Sequence, residues 1–120
     1  MSISVQVNDS AIRLMLDKIL DNQTRQQIHQ YLAEKCDPYV PYKTGALSES
    51  GLTHVKPDGV YYTMDYAERQ YFGVGIQHNL VHHPKATALW DKVMFQEQGE
   101  EFTHGVNEIL NRRARELNGK

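Results

Sequence analysis

Alternation comes first along the chain. Ile3, Val5 and Val7 fall on one side and Ser4 and Gln6 on the other, the period of a half-buried strand. Asn8, Asp9 and Ser10 can cap a helix after it. Ile12, Met15, Leu16, Ile19 and Leu20 then recur at helical spacing, and Ile28, Tyr31, Leu32 and Lys35 continue the series. The intervening DNQTRQQ is polar on every face. Either one helix crosses it, or the helix breaks near Asn22 and Thr24 with Gln27 forms a capping box for a second. One helix, straight or bent, is the preferred reading. It ends before Pro38, because the residue preceding a proline avoids helical angles.

Residues 52–56 and 60–66 flank Pro57-Asp58-Gly59, a turn sequence, and predict a β-hairpin. Its second strand would place Val60, Tyr62, Met64 and Tyr66 on one face. YAERQYFG reads as two turns of helix stopped by Gly73. Residues 74–85 show no clear period and read as a long loop. From Ala86 the spacing is helical again: Leu89, Trp90, Val93 and Met94 share one face, and Phe102, Val106, Ile109, Leu110, Arg113 and Leu117 form a second stripe. Gly99 and Gly105 each weaken a helix by about 1 kcal/mol against alanine, so a break or bend is expected near Gly99. The expected fold is α+β in a single domain over residues 1–120. A long N-terminal helix and C-terminal helices pack on a small, mainly antiparallel sheet.

The 120 residues are 40% hydrophobic and 23% charged, which is ordinary for a globular domain. A net charge of -2 argues against strong general affinity for nucleic acid, which needs a surplus of Lys and Arg. The basic cluster Arg112, Arg113 and Arg115 has Glu108 and Glu116 nearby and reads as the solvated last turns of a helix. Cys36 is the single cysteine, so no internal disulfide forms. The N-terminus carries no expected leader, and no run reaches membrane-spanning length.

Candidate chemistry is sparse. Ser48 and Ser50 lack a nucleophile-elbow pattern, and KTGALSESG lacks the glycine spacing of a phosphate loop. Histidines 78, 82 and 83 suggest a metal, since histidines four apart on a helix can share a zinc ion. Here no cysteine or catalytic glutamate accompanies them, and the expectation is no cofactor and no metal. Seven aromatic residues, Tyr39, Tyr42, Tyr61, Tyr62, Tyr66, Tyr71 and Phe72, fall between positions 39 and 72 and suit a core edge or an assembly surface.

Three blocks carry a family resemblance. YVPYKTGALSES resembles the Tyr-Val-Pro-x-x-Thr-Gly-x-Leu-x-x-Ser stretch of tailed-bacteriophage minor capsid proteins, which look like relatives of neck and tail-completion proteins. DYAERQYFG and HHPKATALW resemble the family's Tyr-Ala-x-x-x-Tyr-x-Gly and His-Pro-x-Ala-x-x-x-Trp elements, in the same order, so the blocks span residues 39–90. Lys43 departs from the pattern, because many relatives carry an acidic residue there. The resemblance implies a structural virion protein of the head–tail junction, assembled in the host cytoplasm. It implies further a ring of copies of the chain, contacts with other head, neck and tail proteins, and passage of DNA without specific binding.

On this reading residues 37–50 are a structural connector. Pro41 holds the chain extended, Thr44 caps a short helical turn, Gly45 admits a close neighbour and Leu47 enters the core. Ser50 and Gly51 release the chain into the hairpin. Tyr66, Tyr71, Gly73, Ile76, Leu80, Val81, His82 and His83 form the candidate assembly surface, with residues 74–85 as a loop ordered by a neighbour. Histidines at such a contact would weaken assembly as they gain charge near about pH 6. Trp90 is the expected core anchor. The rival functions are a small metal-dependent hydrolase using His78, His82 and His83, and a regulatory nucleic-acid-binding module using the C-terminal arginines.

Overall fold

The computed structural model of the protein describes residues 5–7, 21–42, 45–73, 80 and 82–118, with backbone alone at 5–7, 117 and 118. In chain order the elements are β1 (Val5–Val7), α1 (Asn22–Cys36), a 3-10 turn (Asp37–Tyr39), α2 (Ala46–Thr53), β2 (Val55–Lys56), β3 (Gly59–Tyr62), α3 (Ala67–Phe72) and α4 (Trp90–Asn118). The class is α+β, as the pattern predicts. The sheet has the order β1-β3-β2, and both pairings are antiparallel. Val5 pairs with Tyr62 and Val7 with Val60 on one side of β3, while Val55 pairs with Val60 on the other.

Helix α1 begins at Asn22 rather than continuing an earlier helix. Asp21 is extended (φ -69, ψ 164) and its carboxylate accepts the Thr24 amide at 2.7 Å. That bond satisfies an amide with no partner inside the helix, so the chain can start a helix here. The cap is therefore Asp21 with Thr24, not Thr24 with Gln27. Residues 8–20, where the first half of the single expected helix would lie, are outside the described residues. The helix ends at Cys36, and Pro38 sits in the 3-10 turn that follows. Its buried face is Ile28, Leu32, Ala33 and Cys36.

The second correction is α2, where the sequence pattern predicts a connector and then a strand from residue 52. Ser50 Oγ donates back to the Leu47 carbonyl at 2.7 Å and Thr53 Oγ1 to the Glu49 carbonyl at 2.8 Å, so both hydroxyls bond within the helix. The strand shrinks to Val55–Lys56. Gly51 sits on the buried side of α2 against the Tyr62 ring, and a Cβ there would lie 2.1 Å from that ring. Strand β3 stops at Tyr62, and Met64 and Tyr66 belong to the turn into α3, where the Ala67 amide donates to the Met64 carbonyl.

Helix α4 starts at Trp90, four residues after the predicted point. The amides of Thr87 and Leu89 donate instead to the carbonyls of Tyr39 (2.9 Å) and Tyr71 (2.8 Å), and Leu89 takes a left-handed φ of 49. The bend expected near Gly99 is present: Gln98 is non-helical at φ -131, ψ 22. Its amide is used across the fold, with Oε1 accepting from Lys35 Nζ at 2.9 Å and Nε2 donating to the Tyr39 hydroxyl at 2.8 Å. Trp90 and Met94 are buried before the bend, and Phe102, Val106 and Ile109 after it. Tyr31 of α1 stacks on Phe102, with centroids 5.2 Å apart, and lies across Gly105. Trp90 is fully buried, edge-on to Tyr62 at 5.0 Å and to Tyr71 at 4.8 Å.

Two of the helix glycines, Gly51 and Gly99, should answer alanine in opposite ways. Gly51→Ala forces a methyl into the fixed Tyr62 ring and should destabilise by about 1–3 kcal/mol. Gly99→Ala meets nothing within 4 Å and should leave stability unchanged or raise it by up to about 1 kcal/mol. Urea unfolding of both variants checks the pair.

Candidate functional site

The chain's unusual residues gather where residues 37–48 meet residues 82–89. Pro41 is buried and leads into Tyr42. Gly45, at φ 89, precedes α2, and a Cβ there would lie 2.8 Å from the Tyr42 hydroxyl. The position thus needs glycine twice, for its left-handed backbone and for its neighbour. Thr44, the expected cap, lies outside the described residues. Leu47 is buried in the hydrophobic core. Ser50 Oγ also accepts the Thr63 amide at 3.2 Å, which ties α2 to the end of β3.

Tyr42 reaches the histidines. Its ring centroid lies 4.6 Å from that of His82 and 4.9 Å from that of His83, the latter edge-on. His83 Nδ1 donates to the Val40 carbonyl at 2.7 Å, which places the proton on that nitrogen. Its Nε2 stands 3.7 Å from Asp37 Oδ2. Asp37 Oδ1 accepts from Ser48 Oγ. Asp37 therefore links three segments: the turn after α1, helix α2 and the histidine segment. Ser48 donates to a carboxylate, and among the described residues no imidazole nitrogen bonds its hydroxyl. Among the described residues no group of three or more His, Cys, Asp or Glu could hold a metal ion. His78 lies outside them.

Burial holds the thiol and phenols of this core in their protonated forms. Burial pushes the Cys36 thiol far up, and the charges of Asp91 and Asp37 add to it. Burial likewise raises the Tyr62 phenol. The Tyr71 phenol is raised first by burial and then by its hydrogen bond to Asp91.

The surface residues divide. Tyr71 is buried, 7% exposed, and packs on Trp90, so it does not lie on the surface assigned to it. Tyr66, Gly73 and His83 are half-buried, and His82 is exposed. Leu80 is 51% exposed. Ile76 and Val81 lie outside the described residues. Phe72, absent from the predicted surface, is 63% exposed. Consecutive helix residues point about 100° apart, so the burial of Tyr71 turns Phe72 outward.

The arginines divide too. Arg113, read as solvated, is 8% exposed. Its guanidinium donates to Thr24 Oγ1 at 3.2 Å, Gln23 Oε1 at 3.1 Å, Asp21 Oδ2 at 3.3 Å and Glu116 Oε2 at 2.7 Å. It pins the last turns of α4 to the start of α1. Arg112 bonds Gln27 at 3.1 Å and Arg115 is exposed.

Three outcomes follow from these contacts. Arg113→Ala should destabilise by about 1–3 kcal/mol, and Arg113→Lys should recover only part, because one ammonium cannot reproduce the fork. Thermal melts check this. Hydrogen bonds from Thr24, and then the Arg113 charge, hold the Asp21 carboxyl below its usual 3.8. That stabilisation is present above the usual value and is lost as pH falls through the lowered one. The stability gap between wild type and Asp21→Asn should therefore close in acid and persist at neutral pH. Gly45→Ala should destabilise by about 1–3 kcal/mol through its backbone angle and the Tyr42 contact, as urea unfolding will show.

Comparison with known proteins gives one family. The family described as minor capsid protein matches residues 3–104. This span takes in the connector, the histidines and Trp90, and it stops short of Arg113. No curated protein and no solved structure matches the chain.

Proposed function

The chain belongs to the phage minor capsid protein family, and from that premise we propose that it is a ring subunit at the head–tail junction. The family gives the coarser statement directly: this is a structural protein of the phage virion. The match over residues 3–104 is the observation that carries the reading, because it spans most of the chain.

The geometry supports an assembly role. Phe72 and Leu80 are large apolar side chains left in water, at 63% and 51% exposure. In sequence they bracket a segment that carries Val74 and Ile76. With His82, Gly73 and Tyr66, each at least partly exposed, they are the residues offered to neighbouring subunits, and residues 74–85 are proposed as part of that contact. The connector sets where the surface stands. Gly45 and Tyr42 hold His82 and His83, while Asp37 and Val40 hold His83 from the other side. The subunit's net charge of -2 suits a channel through which DNA slides without being held. No helix among the described residues is long and apolar enough to cross a membrane.

Mass spectrometry of purified virions, with labelling of the protein in electron micrographs, tests the assignment. The expected result is a low copy number, density at the junction, and unjoined heads and tails when the gene is deleted. A protein absent from virions, or spread over the capsid shell, would sink it.

A further inference from the structure

An open groove of about 420 Å³ runs between α1 and the part of α4 that follows its bend. Gly105 brings no side chain to it, and Tyr31 lies across that glycine, where a Cβ would meet the tyrosine hydroxyl at 2.2 Å. Ile109, 8% exposed, lines it as well. Glu34, Glu108 and Arg112 line it and are exposed. The groove is thus an aromatic and aliphatic trough with two carboxylates and one guanidinium at its margin. Arg112 gives one donor to Gln27 at 3.1 Å, and Glu108 faces His104 at 3.3 Å on the same helix. Elsewhere, α3 ends in Phe72, 63% exposed. No residue of α3 lines the groove, so ring and groove are separate patches. Tyr71, itself buried, holds the Phe72 ring edge-on with centroids 4.9 Å apart. Glu68 and Arg69, one turn before Phe72 on the same helix, are exposed too.

We propose that Phe72 of one copy of the chain enters the groove between α1 and α4 of the next. The groove has room for it, since pockets that enclose ligands begin at about 300 Å³. Inside, the benzene ring meets Tyr31 and Ile109, and aromatic pairs favour edge-on or offset contact. The charges match as well. Arg69, which flanks the entering ring, is opposite in sign to Glu34 and Glu108, and Glu68 is opposite in sign to Arg112. Complementary charge selects the partner and fixes how it sits. Tyr31 is braced by its stack on Phe102, as Phe72 is by Tyr71. Both sides are therefore held before they meet, which lowers the cost of ordering them. Ring and groove are different patches, so the contact is head-to-tail, the kind that closes into rings. The proposal rests on the ring reading above and names its contact.

Sedimentation velocity over a concentration series reads the contact, with thermal melts as the control. Phe72→Ser and Glu108→Arg change exposed side chains and should keep the wild-type melting temperature. Each should weaken self-association by about tenfold or more. Arg69→Glu should weaken it too, and Glu108→Arg added to Arg69→Glu should recover part of the loss. Phe72→Ser keeps the groove and Glu108→Arg keeps the ring, so a mixture of the two should form heterodimers and nothing larger. Wild-type self-association of Phe72→Ser or of Glu108→Arg, or a mixture no larger than its parents, overturns the contact and leaves the ring standing. If copies meet only in the virion, the same variants are read by their incorporation into it, and normal incorporation of Phe72→Ser overturns the contact. Glu108→Arg protein that self-associates as wild type yet fails to enter virions gives the groove to another virion protein, which also overturns it. A wild type that stays monomeric at every concentration and forms no ring in virions overturns both readings.

Discussion

The burial of Trp90 between Tyr62 and Tyr71 is the contact on which the rest of the structure depends. It joins the central strand, α3 and α4 at one point. Its demands spread outward. Tyr62 can approach only because Gly51 presents no side chain. Tyr71 is fixed by Asp91, the residue after the tryptophan. Leu89, just before it, accepts a left-handed backbone so that the chain enters the helix with the indole already inside. Such a backbone costs about 1–2 kcal/mol for a residue with a Cβ, whereas losing a buried tryptophan costs about 3–5 kcal/mol. Burial of the indole outweighs the strain at Leu89, and the left-handed residue is tolerated.

Legibility followed the range of the interaction. The stripes of α4, its bend and the end of α1 before Pro38 were readable because period, glycine and proline act locally. The start of α1 was not, because a polar run permits both a continuous helix and a capped one. Only the bond between Asp21 and Thr24 decides between them. Helix α2 was hidden by Ser50, Gly51 and Thr53, which look like turn residues when their hydroxyl partners are unseen. Arg113 fell on the buried stripe of the pattern, yet its charge read as solvated. Its partners Asp21, Gln23 and Thr24 lie at the other end of the chain, beyond any local signal. In the candidate site, the need for glycine at position 45 could be read from the motif. The contacts of Tyr42 with His82 and His83, and the linking role of Asp37, could not, because they depend on tertiary proximity.

The connector is held by residues far along the chain. Tyr39 illustrates this. Its carbonyl receives the Thr87 amide, its ring lies under Lys85, and its hydroxyl donates to Glu97 and accepts from Gln98. Residues 37–42 therefore cannot shift without moving the histidine segment and the bend of α4. A surface displayed on such a segment has a defined orientation before any partner arrives, which lowers the entropy lost on association.

The bend at Gln98 also divides cooperativity. A helix gains its resistance to fraying from an unbroken ladder in which each hydrogen bond props the next. With Gln98 off the helical angles, the ladder of α4 is interrupted, and its two arms hold on by different means. The first arm is anchored by Trp90 and Met94 in the core, the second by Phe102, Val106 and the Arg113 tie. Loosening at the C-terminus can then run back as far as the bend and stop there, which leaves the tryptophan, the histidine segment and the surface they support in place.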